Sequence, residues 1–189
     1  MTNVFIVEGI DRLGKDALID EILQNKGFFQ EIHFSKPQRL KAYEHPAPVD
    51  GVQPGNEALF HYQAESFRNS MILAKSGARL IFNRSWIGEA VYAPIYRKTD
   101  GNYVFNLEKS TDIGAQQGIR LILLVEDFDR STHFKSDGDS FDDSKRREEQ
   151  TLFMKAFHRS AIADKRVICV TGLDGGFKSK NSILLEALA

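Results

Sequence analysis

Four short apolar runs punctuate the chain: Val4–Val7, Arg79–Phe82, Arg120–Val125 and Val167–Val170. Each is too short for a globular helix and lacks strict alternation, the pattern of strands buried on both faces. A fifth run, Glu31–Phe34, is more polar and is expected at the margin of the same sheet. Between the runs the apolar period changes. Leu18, Ile19, Ile22 and Leu23 recur at helical spacing, as do Phe60, Ala64, Phe67, Met71 and Ala74. Leu152, Phe153, Ala156 and Phe157 form another stripe after the charged start Lys145–Gln150, and Ile183, Leu184 and Leu188 another within Ser179–Leu188. Strands alternating with helices predict an α/β domain with a parallel sheet covered on both faces.

Two stretches depart from this rhythm. Pro37 to Pro54 holds four of the five prolines and is expected to be irregular, with a short helix near Leu40–Tyr43. Phe128 to Asp143 is rich in aspartate and poor in apolar residues, so a lid is expected over about 127–147. There is no internal repeat, and 189 residues suit a single domain, 1–189.

Composition narrows the partners. A net charge of −1 provides no basic field for nucleic acid, so affinity for phosphate must be local. The single cysteine, Cys169, excludes an intramolecular disulfide and a multi-cysteine zinc site, and is expected to be a buried, inert thiol. No apolar run approaches the length of a membrane span, and the chain is expected to be cytoplasmic, without nucleic-acid or membrane partners.

The chemistry is concentrated where the first strand meets the first helix. Gly9-Ile10-Asp11-Arg12-Leu13-Gly14-Lys15 has the spacing G-x-x-x-x-G-K of a phosphate-binding loop. Glycines let backbone N–H groups converge on a phosphate, the helix N-terminus adds its dipole, and Lys15 would reach the β- and γ-phosphates. The residue after the lysine is ordinarily Ser or Thr, a Mg²⁺ ligand; here it is Asp16. A carboxylate can hold Mg²⁺ directly or through water, but it also repels a triphosphate.

With this loop preceded by Glu8, the chain resembles the thymidylate kinase family, and within it bacteriophage-type deoxynucleotide kinases. Further residues carry the resemblance: Asn83-Arg84-Ser85 after the strand Leu80–Phe82, where the family has an Asp-Arg pair; Tyr92, nine residues after Asn83 and followed by Ala93-Pro94-Ile95-Tyr96-Arg97; and Lys36-Pro37, similar to the family's Arg-Glu-Pro turn. The resemblance implies a P-loop nucleotide kinase fold, a five-stranded parallel sheet flanked by helices, with ATP and Mg²⁺ acting on a deoxynucleoside monophosphate, dTMP or a related pyrimidine. It also places Arg84 on the acceptor phosphate and Tyr92 under the sugar, where a ring would exclude a ribose 2′-hydroxyl. A packing role is the other reading of Tyr92.

The resemblance extends to more distant positions. Asp11 would act on Mg²⁺ through water or orient the acceptor cations, and at least one of Arg130, Arg146 and Arg147 would close over the transferring phosphoryl group. Asp174, in Thr171-Gly172-Leu173-Asp174, falls where the family loop lies along adenine, and Arg68 roughly where it has an arginine near base and phosphate. Lys36 and Arg97 are either further cations for the acceptor or solvated surface residues. Phe60 and Phe67 either stack on the base or belong to the core. A homodimer is compatible with this picture.

Two departures bear on the metal. Asn83 replaces an aspartate and Asp16 adds a carboxylate, so the two changes are expected to compensate. Three other readings compete. A deoxynucleoside kinase needs a base for a 5′-hydroxyl, commonly a carboxylate ending the second strand, where this chain has Phe34-Ser35-Lys36-Pro37. A nucleotide-binding module without transfer would need a guanine-reading motif, and no N-K-x-D is present. Glu126-Asp127 after an apolar strand matches the acidic residue that holds Mg²⁺ in ATPase motors.

Overall fold

A computed structural model of the chain describes residues 2–33, 66, 68–69, 72–73, 76–98, 100–111, 113, 118–132 and 143–189. Its elements run β1 (Val4–Glu8), α1 (Lys15–Lys26), β2 (Gln30–His33), β3 (Leu80–Asn83), α2 (Ile87–Tyr92), a π-helical turn (Ala93–Arg97), α3 (Val104–Ser110), β4 (Ile119–Val125), a 3₁₀ turn (Asp143–Lys145), α4 (Arg146–Arg159), β5 (Asp164–Cys169) and α5 (Lys180–Leu188).

The five strands are parallel, in the order β2-β3-β1-β4-β5. The chain moves from β1 to one side for β2 and β3, and to the other for β4 and β5. The strand order therefore reverses at β1, and the crevice beyond its C-terminal end is where open parallel sheets bind ligands. Register places Asn83 beside Val7 and Leu123 beside Glu8, so the ends of β3, β1 and β4 form one edge.

The central strands are the apolar runs of the sequence. Val4–Val7, Leu80–Phe82 and Leu121–Leu124 are buried, and Leu18, Ile19 and Ile22 of α1 share their core. The ends of α1 follow its residues: Gly27, at φ 73°, stops the helix and donates its N–H to Leu23 O at 3.2 Å. α5 begins with Ser179, whose hydroxyl accepts from Ser182 N.

Two buried polar clusters join the layers. Glu108 of α3 accepts from Trp86 Nε1 at 3.0 Å, Ser160 Oγ at 2.8 Å and Ala161 N at 2.7 Å, so its burial is compensated. Arg120 of β4 donates to Asp164 Oδ2 and to Ala187 O, both at 2.8 Å, which fixes the edge strand and the last helix.

Several expectations need adjustment. β3 spans Leu80–Asn83, one residue later than the apolar run. β5 starts at Asp164 rather than Val167, because its ladder on β4 and the Arg120–Asp164 pair begin ahead of the apolar residues. Cys169 is half-buried rather than enclosed. Of the predicted helix over Phe60–Ala74, residues 66, 68, 69, 72 and 73 are described, and they are helical. The 37–54 loop, with its expected short helix, and residues 133–142 of the expected lid lie outside the described residues. No helix among the described residues is long and apolar enough to cross a membrane.

Candidate active site

The loop Gly9–Lys15 turns at the C-terminal end of β1. Gly9 has φ 141°, and a Cβ there would stand 2.6 Å from Leu124 O, so only glycine lets the loop leave β1 against β4. Gly14 is left-handed at φ 77° and opens α1. Ile10 and Leu13 are buried beneath the loop, which pins it to the core.

Lys15 is the first residue of α1 and is 7% exposed. Its ammonium donates to Gly9 O at 2.9 Å and Ile10 O at 2.7 Å, so the side chain folds back across its own loop. Burial, with the Arg84 charge adding to it, lowers Lys15 to about 8, against the opposing pull of Asp11, Glu8 and Asp16.

Arg84 follows β3 and has a left-handed backbone, φ 68°. Its guanidinium pairs with the Asp11 carboxylate, and both side chains are about one-third exposed at the crevice. The sequence motifs at 9–16 and 83–85 thus form one cluster. Asn83, buried at 4%, donates through Nδ2 to Asp16 Oδ1 at 2.7 Å and to Glu31 Oε1 at 3.2 Å. The neutral residue at 83 and the acid at 16 are in direct contact. An aspartate at 83 would set two carboxylates at hydrogen-bond distance, whereas the amide supplies the donor Asp16 needs.

This bears on magnesium. Mg²⁺ on a nucleotide takes most of its ligands from phosphate and water and needs only one or two protein oxygens. Asp16 retains a second oxygen that no described residue engages, beside Lys15, so the residues fit an ion held on phosphate. Asp11 is committed to Arg84. Among the described residues no group of three or more His, Cys, Asp or Glu could hold a metal alone.

Arg146, at the start of α4, crosses to the loop. It donates through Nη2 and Nε to Glu126 Oε1 at 2.8 and 3.2 Å, and through Nη1 to Asp11 O at 3.1 Å. Gln150 seals the pair, accepting from Glu126 N at 2.8 Å and donating to Glu126 O at 2.9 Å. Glu126, where an ATPase would hold its metal, is therefore buried against a guanidinium.

The other predicted cations lie at the rim. Arg147 reaches Asp129 Oδ1 at 2.7 Å across the Phe128 ring, and Arg130 stands 3.7 Å from Asp127 Oδ2; both pairs are solvent-exposed. Asp174 accepts from Gly176 N at 3.0 Å and shapes the turn between Thr171 and Phe177. That turn packs on residues 130–132: Thr132 N donates to Gly175 O at 3.0 Å, and a Cβ on Gly175 would meet Arg130 O at 2.5 Å.

Tyr92 ends α2 and packs edge-on to Phe153 of α4, with ring centroids 5.7 Å apart. Its buried hydroxyl has no hydrogen-bond partner among the described residues, and burial pushes it above the ordinary tyrosine range. Nearby, Tyr96 donates to Glu149, and the Lys145 ammonium stands over the Tyr96 ring, 4.9 Å from its centroid. Arg68 is helical and exposed, and for Arg97 only the backbone, in the π-helical turn, is described. Lys36, Phe60 and Phe67 lie outside the described residues.

Sequence reasoning gave no role to Glu31, Glu149 or Glu8. Glu8 is 1% exposed and accepts from Ser85 Oγ at 2.6 Å, while its second oxygen has no partner among the described residues. Its signal in the sequence is a carboxylate ending an otherwise apolar strand.

The strand order, the loop between β1 and α1, and the flanking helices define the P-loop kinase fold. No protein-family model matches the sequence, and no curated protein does. Solved structures share the fold at low identity. The YorR protein of Bacillus subtilis, in complex with phosphorylated GDP, superposes with a TM-score of 0.60 at 13% identity, over 88% of this chain and 85% of that one. Thymidylate kinase from Candida albicans superposes with a TM-score of 0.50 at 15% identity, over 98% of this chain and 88% of that one.

Proposed function

We propose that the chain is a deoxynucleoside monophosphate kinase of the thymidylate kinase type, transferring the ATP γ-phosphoryl group to a deoxynucleotide, dTMP or a related pyrimidine. The observation that carries this reading is the Arg84–Asp11 pair, which sets a guanidinium from the end of β3 against the phosphate loop. Transfer between two phosphates is mainly a problem of positioning and charge. Lys15 would leave the carbonyls of Gly9 and Ile10 for the β- and γ-phosphates, and Arg84 would hold the acceptor phosphate with its planar fork. Asp16 would hold Mg²⁺, which supplies charge neutralisation between the β- and γ-phosphates when bound. Arg146 is already on the loop backbone and is the lid-side cation best placed to act on the transferring group. Both solved structures above bear on this reading through their names: one is a thymidylate kinase, the other was solved with a phosphorylated nucleotide.

A second reading rests on Glu31. Its carboxylate, from β2, meets Asn83 beside the loop and could serve as base for a nucleoside 5′-hydroxyl. One panel separates the two. ATP is offered with deoxynucleoside monophosphates, ribonucleoside monophosphates and deoxynucleosides, and ADP release is scored. Turnover with dTMP or a related monophosphate is expected. Turnover with deoxynucleosides alone would replace it by the second reading, and ADP release independent of any acceptor would overturn both.

A further inference from the structure

Arg84 pays for its position with an unfavourable backbone. A left-handed conformation costs a residue with a Cβ roughly 1–2 kcal/mol and persists only where the surroundings over-determine it. Three hydrogen bonds do so here. Arg84 N donates to Val7 O at 3.1 Å, extending the β1–β3 ladder by one residue. The next residue, Ser85, donates its hydroxyl proton to Glu8 Oε1 at 2.6 Å, while its oxygen accepts from Ile87 N at 3.2 Å at the start of α2. The turn 84–85 is thus fastened to the last two residues of β1 and to the helix that follows it.

Glu8 has no other hydrogen-bonding task among the described residues. It is 1% exposed, and its second oxygen is unpartnered. For the sheet alone an apolar residue would be better, because a buried carboxyl with an unpaired oxygen is destabilising.

We propose that Glu8 is a positioning residue for Arg84: the Glu8–Ser85 hydrogen bond ties the turn after β3 to the end of β1 and keeps the Arg84 guanidinium aimed across Asp11 at an acceptor phosphate. The proposal rests on Arg84 being the acceptor cation. The charged and titratable groups that face Glu8 are Arg84 from the turn after β3, Lys15 from α1 and Tyr92 from α2. Burial lifts it to about 7, opposed by the Ser85 hydrogen bond and those two cations.

The test compares wild type, Ser85→Ala, Ser85→Thr and Glu8→Gln, measuring acceptor KM and kcat at saturating ATP and ATP affinity by calorimetry. Losing one hydrogen bond to a carboxylate should raise acceptor KM about ten-fold in Ser85→Ala, with ATP affinity within about two-fold of wild type. Ser85→Thr, which keeps the hydroxyl, and Glu8→Gln, whose amide oxygen still accepts, should both stay within about three-fold of wild type. An unchanged acceptor KM in Ser85→Ala, or equal losses for acceptor and ATP, would overturn the proposal. A second measurement does not depend on the substrate. Carbon-13 titration of the Glu8 carboxyl should move to higher pH in Ser85→Ala, since a hydrogen bond favouring the ionised form is gone. Identical titrations would show that no latch exists. If wild type phosphorylates no monophosphate, the kinase reading fails while this titration still decides the latch.

Discussion

Arg146 and Arg147 are adjacent in sequence, yet they belong to two regions with different physics. Arg146 lies on the floor of the crevice, 11% exposed against a Glu126 that is 1% exposed, and its third donor reaches the phosphate loop. Arg147 lies on the rim, 64% exposed, against an Asp129 that is 86% exposed. Helical geometry turns successive residues by about 100°, so one side chain enters the crevice and the other faces water. On the floor these charges have fixed polar or charged partners: Lys15 the loop carbonyls, Asp11 Arg84, Asp16 the Asn83 amide and Glu126 Arg146. On the rim the pairs are local and screened. The floor charges are thus held by fixed partners, whereas the rim offers charge without fixed direction.

The sharpest way to break this picture is at Lys15. On the proposed function, removing the loop cation should lower kcat by about a thousand-fold or more in Lys15→Ala. Circular dichroism should show the fold retained, and near-normal turnover by the folded variant would end the phosphate-loop assignment. Because Lys15 is lowered to about 8, it carries its charge only below that pH in the free protein. ATP affinity in wild type should therefore weaken as pH rises through about 8, and Lys15→Ala should lose that dependence.

Next in size is the contrast between the two arginines. Arg146→Ala leaves Glu126 buried without its partner and should destabilise the protein by about 3–5 kcal/mol in chemical denaturation. Arg147→Ala should cost about 1 kcal/mol or less. Adding Glu126→Gln to Arg146→Ala should recover part of the loss by removing the stranded charge. Equal effects of the two single variants would erase the division between floor and rim.

The third concerns stability against pH. Glu8 rises from an ordinary 4.5 to about 7 through burial. Below the ordinary value it is protonated in folded and unfolded chains alike. Between the two values the folded protein keeps the proton that the unfolded chain releases, so the stabilisation is lost as pH rises through about 7. The full span is on the order of 3 kcal/mol. Unfolding free energies of wild type should fall by up to that amount relative to Glu8→Gln between pH 4.5 and 8. Parallel curves would mean that Glu8 is not the buried acid.

Floor and rim also divide what was legible in the sequence. The central strands and the loop were visible because each is a contiguous pattern: an apolar run, or fixed glycine spacing. Gly9 is dictated by one close approach to Leu124 O, a constraint that one position can signal. The edge strand β5 was placed late because its first residues, Asp164-Lys165-Arg166, join the sheet by pairing rather than by apolar burial. Glu8–Ser85, Asn83–Glu31 and Arg146–Glu126 were not legible, since each joins residues at least 20 positions apart. A carboxylate in an apolar run marks one end of such a pair and says nothing of the other. Arg130, Arg146 and Arg147 were indistinguishable as charges in a line, and burial alone separates them.

The smallest expected effect lies at Asp16 and Asn83, where this chain departs from the usual loop. A Ser or Thr would give Mg²⁺ one neutral oxygen; Asp16 offers a charged one, with its other oxygen held by Asn83 at 2.7 Å. Asp16→Asn keeps an oxygen to accept from Asn83 and removes only the charge. If that charge helps hold the metal, the Mg²⁺ concentration for half-maximal rate should rise a few-fold, about 1 kcal/mol of lost interaction. Direct binding of Mn²⁺ to the ATP complex should weaken in parallel. Asn83→Asp added to Asp16→Asn reverses the amide–carboxylate hydrogen bond and returns the charge to the residue beside β1, so part of the affinity should return. Asn83→Asp alone places two carboxylates in contact beside Glu31, and should demand either bound metal or an extra proton to be tolerated. If Asp16→Asn leaves metal dependence and Mn²⁺ binding unchanged, Asp16 is instead an acid at the start of α1, stabilised by the helix dipole by about 0.3–1 kcal/mol. Only its unfolding free energy would then respond.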